Sequence, residues 1–188
     1  MVMTKTLPLF KLGQVCATPD ALCQAQIRAM FKPSEHIWIT NSLRHRGWCR
    51  TAEYWLADIA QHGVPTGEEG AWLKLNPMSQ FGISNQDVHH FRHVLCEADT
   101  GTIEEQIRLS EALPYPIVSA VHSGSKSVHF LLRVNAEEKS YAAIVKELHA
   151  QYPQFDQACK DPARWTRLAG ACRAGVLQAA LPLGRMGL

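Results

Sequence analysis

His90–Thr100 reads HFRHVLCEADT, a strand-forming run that ends in two acids one residue apart. A β-strand turns its side chains over with period two, so Glu97 and Asp99 are expected on one face, about 7 Å apart. Phe91, His93 and Leu95 precede them on that face and are mostly apolar. The acids should therefore project beside a core. Two carboxylates so placed repel each other unless a cation or a base sits between them. The pattern suits a divalent metal, and divalent metal suits phosphate chemistry. A strand end surfacing into solvent would also carry acids, and the pair by itself does not exclude it.

Two further segments bear on that choice. Ser123–Val134 reads SGSKSVHFLLRV. Gly124 permits a tight turn, and the small hydroxylated residues around it leave backbone N–H groups open to an anion. Lys126 adds a positive charge. His129 and Arg133 share one strand face, opposite Val128, Phe130, Leu132 and Val134. This is a candidate triphosphate cradle but not a P-loop, since GxxxxGK[ST] is absent; an ordinary polar hairpin would look similar. Phe155–Gly170 reads FDQACKDPARWTRLAG. Asp156 or Asp161 could complete a metal site, and Arg164 and Arg167 could neutralise phosphate. An Asp161-Pro162 surface turn is the plain alternative.

The bulk numbers are those of a globular chain. There are 188 residues, 46% hydrophobic and 19% charged, with a net charge of +2. That length allows one domain, or two small modules sharing a core. Basic residues gather at Arg44, His45, Arg46 and Arg50 around Trp48, and again from Lys160 through Arg164, Arg167 and Arg173 to Arg185. Such clusters fit a nucleic-acid backbone with stacked bases, and equally a solvated face. The cysteines, Cys16 and Cys96 among them, form no CxxC pair, which argues against a zinc ribbon. No signal peptide and no membrane-spanning run is read, so reduced thiols in a cytoplasmic compartment are expected.

Periodicity and capping signals predict helices over Asp20–Phe31, Thr51–His62, Thr102–Leu113 and Glu137–Gln151. Strands are predicted over Glu35–Thr40, Ala71–Asn76, Val88–Asp99, Ile117–His122 and Ser127–Val134. Trp38, Trp55 and Trp72 are expected in the core. From Val88 the order is strand, helix, strand, strand, helix, strand, which is the split βαβ pattern. The expected fold class is α+β: an RRM-like module over 81–188 packed against a smaller N-terminal α/β unit over 1–80, forming one catalytic domain.

The ordered set E-x-D, S-G-x-K-S-x-H and D…P-x-R-x-x-R-L-x-G resembles the catalytic domain of the archaeo-eukaryotic primase (primase-polymerase) superfamily, especially the small forms of phages, plasmids and mobile elements. The likeness runs from about Gly70 to Gln178. Two departures are mild: Ala169 where the family often has Pro, and Ser125 where it often has a second Gly. The resemblance implies that Glu97, Asp99 and Asp156 bind metal, with Asp161 the second choice for the third acid. It implies that Ser123, Lys126, Ser127 and His129 contact the phosphates of an incoming nucleotide, with Arg164 and Arg167 near nucleotide or template phosphates. It implies two Mg²⁺ or Mn²⁺ ions, hard cations suited to oxygen donors. The expected partners are a single-stranded DNA template, nucleoside triphosphates and a replicative helicase.

Three competing readings were weighed. A metal-dependent nuclease would use clustered acids but has little need of a Ser-x-His cradle. A non-catalytic RRM-like binder would carry aromatics where Glu97, Asp99 and His129 stand. A rolling-circle initiator needs a His-x-His pair, which the sequence lacks.

Overall fold

The computed structural model describes residues 17–181; Cys16 and Arg185 lie outside them. Helix α1 (Pro19–Met30) starts where the Thr18 hydroxyl accepts from the Ala21 N–H, with Pro19 in the first turn. Strand β1 (His36–Thr40) pairs antiparallel with β2 (Trp48–Thr51), and Thr51 then caps α2 (Ala52–His62). Gly63, at φ 84°, ends that helix in a conformation other residues adopt only with strain. Strand β3 (Trp72–Lys74) follows, then a single 3₁₀ turn (Asn85–Asp87).

Strand β4 (Phe91–Glu97) begins later and ends earlier than its apolar pattern suggests. Helix α3 (Ile103–Ser110) opens with a Thr102/Glu105 capping box. Strands β5 (Ile117–His122) and β6 (Val128–Ala136) precede α4 (Glu138–Gln151), and the chain returns as β7 (Trp165–Arg167) and the small hairpin β8 (Cys172–Arg173), β9 (Val176–Leu177).

The strands form a four-stranded sheet in the order β2-β1-β3-β7 and a three-stranded sheet in the order β4-β6-β5. In the second sheet β6 is antiparallel to both neighbours. β4 and β5 are thus parallel to each other, with α3 connecting them and β6 between them. One sequence expectation fails here. The strand after α4 does not add to β4's free edge; β7 pairs with β3 instead. β7 has β3 on one side, and on the other the Arg167 N–H donates to His129 and the Arg167 carbonyl accepts from Gln26.

Three apolar clusters hold these layers. Cys23 and Ile27 of α1, Ile37 and Ile39 of β1, and Trp55 and Ile59 of α2 meet Leu95 and Leu131 from the inner face of the three-stranded sheet. Its outer face, with Val94, Cys96, Phe130 and Leu132, packs on α3 and α4 through Ile107, Tyr141, Val145 and Leu148. Trp38, one residue out of phase with Ile37 and Ile39, lies on the opposite side of the four-stranded sheet against Met78, Val88 and Ala163. The predicted core tryptophans Trp38, Trp55 and Trp72 are all buried.

Four buried amide side chains stitch these parts together as strand mimics. Gln106 accepts from the Val128 N–H and donates to the Lys126 carbonyl. Gln26 does the same for Ala169 and Arg167, Gln178 for Ala71, and Asn76 for His93. Each offers one acceptor and one donor, the pair a neighbouring strand residue would supply. Left unpaired, each buried backbone group would cost about 1–3 kcal/mol.

Candidate active site

The register of β4 against β6 puts Glu97 directly opposite His129, one step beyond the pair Leu95 and Leu131. Glu97 Oε1 lies 3.2 Å from His129 Nε2 and accepts from the Ser127 hydroxyl at 2.9 Å. Ser127 also reaches the Ser123 hydroxyl at 3.1 Å. The other side of the imidazole is fixed by β7. The Arg167 N–H can only donate, 3.3 Å to His129 Nδ1. Nδ1 also lies 3.1 Å from the Thr166 hydroxyl, so two groups of β7 hold the ring with Nε2 facing Glu97. Burial alone would raise the Glu97 carboxyl. The hydrogen bond and charge of His129, the hydrogen bond from Ser127 and the Arg164 charge outweigh it and hold the group down to about 2. Glu97 is thus a half-buried, ionised oxygen donor.

Asp156 joins it from the loop after α4. Its N–H donates to the Glu97 carbonyl at 2.7 Å, tying that loop to the end of β4. The two carboxylates flank one thiol: Cys159 Sγ is 3.8 Å from Glu97 Oε2 and 3.7 Å from Asp156 Oδ2. Burial, with the two acids adding to it, raises that thiol and keeps it neutral. Arg164 Nη2 stands 3.6 Å from Asp156 Oδ2. Asp161 goes elsewhere, accepting from the Asn85 amide at 3.2 Å.

Asp99 departs from expectation. β4 ends at Glu97, so the strand alternation stops before Asp99. Asp99 lies exposed, 3.2 Å from Lys126 Nζ, in an ion pair open to water on both sides. The Ser123–Lys126 turn departs as well. Gly124, at φ 75°, makes it tight, but Ser123 and Ser127 are buried and turned toward Glu97 while Lys126 faces out.

A cleft of about 590 Å³ opens over this chemistry. Glu97, His129, Asp161, Arg164 and Arg167 line it, between walls formed by Trp72 and Trp165. It is within the size range of small-molecule sites. Arg167 is held over Trp72 at 4.4 Å and donates to the Glu69 carbonyl at 2.9 Å. Burial pushes its guanidinium down to about 10, which leaves it charged at neutral pH. One residue escaped the sequence reading: Lys74. It is buried, donates to the Ala163 carbonyl and sits 4.4 Å over Trp165. Burial pushes it down to about 8, against the pull of Asp161 and Asp87. Its signal was a lysine inside the apolar run AWLKLN.

The donor set can be tested against the metal that the acids suggest. Glu97 and Asp156 offer carboxylate oxygens on either side of Cys159, and oxygen is the donor Mg²⁺ and Mn²⁺ prefer. Among the described residues no group of three potential ligands is assembled. Asp99 is two residues from Glu97, and its exposed pair with Lys126 is of a kind worth at most about 1 kcal/mol. Glu97 and Asp156 are thus oxygen donors of the kind such an ion takes, while Asp99 stands outside them on an ion pair that costs little to break.

No protein-family model matches the sequence, and no curated protein is significantly similar to it. Solved structures are. The AEP domain of the primase-polymerase of cyanophage S-2L superposes with a TM-score of 0.57 at 19% identity, over 83% of each chain. Primase RepB′ superposes at 0.55 and 16% identity, over 87% of this chain and 55% of that one. The catalytic domain of RepB′, solved in complex with initiator DNA, superposes at 0.52 and 17% identity, over 85% and 88%. The fold is α+β of the primase catalytic-domain kind.

Proposed function

We propose that this chain is a template-dependent nucleotidyltransferase, a DNA primase or polymerase of a phage, plasmid or other mobile element. In this reading residues 1–188 are one catalytic domain, with an N-terminal α/β unit over 1–80 and an RRM-like module over 81–188. Its partners are single-stranded DNA, nucleoside triphosphates and a replicative helicase. The observation that carries the reading is the convergence of Glu97, Asp156, His129, Arg164 and Arg167 on one end of two sheets. Among the described residues no helix is long and apolar enough to cross a membrane.

The reaction is displacement of pyrophosphate from the α-phosphate of a nucleotide by a 3′-hydroxyl. Glu97, Asp156 and Asp99 would hold Mg²⁺ or Mn²⁺, which supplies charge neutralisation at the reacting phosphate and a more acidic hydroxyl. Ser127 and His129 keep Glu97 ionised and fixed in orientation. Arg164 and Arg167 supply fixed positive charge to the triphosphate, and Arg167 has little freedom to lose because Trp72 and Glu69 already hold it. Lys126, freed when Asp99 turns inward, and the Ser123 turn then face phosphate.

A second reading has one observation in its favour: Asp99 points to solvent, as it would in a binding remnant that had lost transfer chemistry. Purified protein with single-stranded DNA, labelled nucleotides and Mg²⁺ or Mn²⁺, beside a Glu97→Ala/Asp99→Ala double variant, separates the two. Metal-dependent product that vanishes in the variant supports the transferase. No product from folded protein in either metal leaves the remnant.

A further inference from the structure

Exposed large apolar side chains are concentrated on one edge of the molecule. Trp48, Tyr54, Leu43 and Phe81 are 49%, 52%, 54% and 79% exposed, and only Val176 among the described residues joins them elsewhere. Trp48 lies on β2, the free edge of the four-stranded sheet. The burial of β2 alternates, with Trp48 and Arg50 turned out and Cys49 and Thr51 turned in. Tyr54 follows in the first turn of α2.

Arginines interleave with these rings. Arg50 lies 5.4 Å over Tyr54, and Arg46 lies 4.5 Å over Trp38. Arg46 also donates to the Phe81 carbonyl, joining the loop before β2 to the loop after β3. Arg44 and His45 add to the positive charge, against Asp87 beside Arg46. Between the rings is a recess of about 540 Å³ bounded by His36, Trp38, Trp48, Arg50, Tyr54 and Gln80. The loops that carry Arg46 and Phe81 also reach the candidate cleft, where Leu43 and Ile83 line its wall.

We propose that this aromatic and arginine edge is the path of the single-stranded template, with bases stacking on Trp48, Tyr54 and Phe81 and phosphates paired to Arg44, Arg46 and Arg50. The chemistry selects single strands. Base faces are open for stacking only when unpaired, and a groove that alternates rings and cations matches a chain that alternates bases and phosphates. A protein partner would also favour Trp and Arg, but it would not alternate planar faces with anions as a single strand does. The inference rests on the transferase reading only for the word template.

The test is fluorescence anisotropy of a labelled oligothymidylate of roughly 20 nucleotides, longer than common binding sites, with the full chain, no metal and no nucleotide. Trp48→Ala and Phe81→Ala should each weaken binding roughly tenfold, and Trp48→Phe should restore most of the loss. Arg46→Ala/Arg50→Ala should make the dependence of log affinity on log salt shallower by roughly 1.4, two phosphate contacts. Phe81 is so exposed that its removal cannot be mistaken for misfolding. Unchanged affinity in these variants, or tighter binding of the matching duplex, overturns the proposal. Nucleotide incorporation by the same proteins keeps the two readings apart. Strip-dependent binding without incorporation refutes the transferase alone; incorporation that ignores the strip refutes this path alone.

Discussion

Glu97 and Asp99 belong to one motif yet occupy opposite environments. Glu97 is the last residue of β4, half-buried, ionised and held by Ser127 and His129. Asp99 is past the strand, its side chain 52% exposed, against a Lys126 side chain 66% exposed. The difference teaches where the period-two rule stops. Alternation is enforced by the ladder of β4 on β6, and that ladder ends at the Glu97–His129 pair. Beyond it the backbone is free to turn, and Asp99 goes to the nearest cation. In the proposed reaction one acid would be fixed by the sheet and the other free to join it without rebuilding the sheet.

The comparison can be broken by substitution. Glu97→Gln and Asp156→Asn should each reduce nucleotide incorporation by roughly 10³-fold, since charge stabilisation at a metal centre is worth several kcal/mol. Asp99→Asn should reduce it by roughly 10²-fold while leaving the melting temperature in place, because its only partner is an exposed lysine. Equal activity of Asp99→Asn and wild type would make Asp99 a surface residue.

Acid sharpens the contrast. The folded Glu97 carboxyl lies below its ordinary 4.5, at about 2. Its ionised form therefore stabilises the fold above pH 4.5, and that contribution is lost as pH falls from 4.5 through about 2. The shift corresponds to on the order of 3 kcal/mol. Urea midpoints measured at pH 7 and pH 3 should separate widely for wild type and less for Glu97→Gln. Gln106→Ala tests the support behind both acids. Losing its bonds to Val128 and Lys126 should cost about 2 kcal/mol in urea unfolding. Lys126→Ala should have the smallest effect, under about 1 kcal/mol.

Much of this was legible in the sequence. The Thr51 and Gly63 signals bracket α2, and the Thr102/Glu105 pair marks α3, because caps are local chemistry. The Glu97 face was readable because alternation along an apolar strand is local too. Strand β2 was not: WCRT carries its ring and its arginine outward and is recruited by pairing with β1 alone. The four amide stitches were also invisible. Gln26, Asn76, Gln106 and Gln178 look like surface residues, and only the return of distant segments gives them backbone to mimic. Lys74 and the pairing of β7 with β3 were missed for the same reason, since both depend on contacts across about ninety residues of chain.

Calorimetric titration of Mn²⁺ into wild type, Glu97→Gln and Asp99→Asn bears most directly on the proposal that the half-buried and the exposed acid serve one ion. Binding to wild type that is abolished by Glu97→Gln and weakened at least tenfold by Asp99→Asn is the expected result. Binding by Asp99→Asn that matches wild type would contradict it and leave Asp99 outside the site.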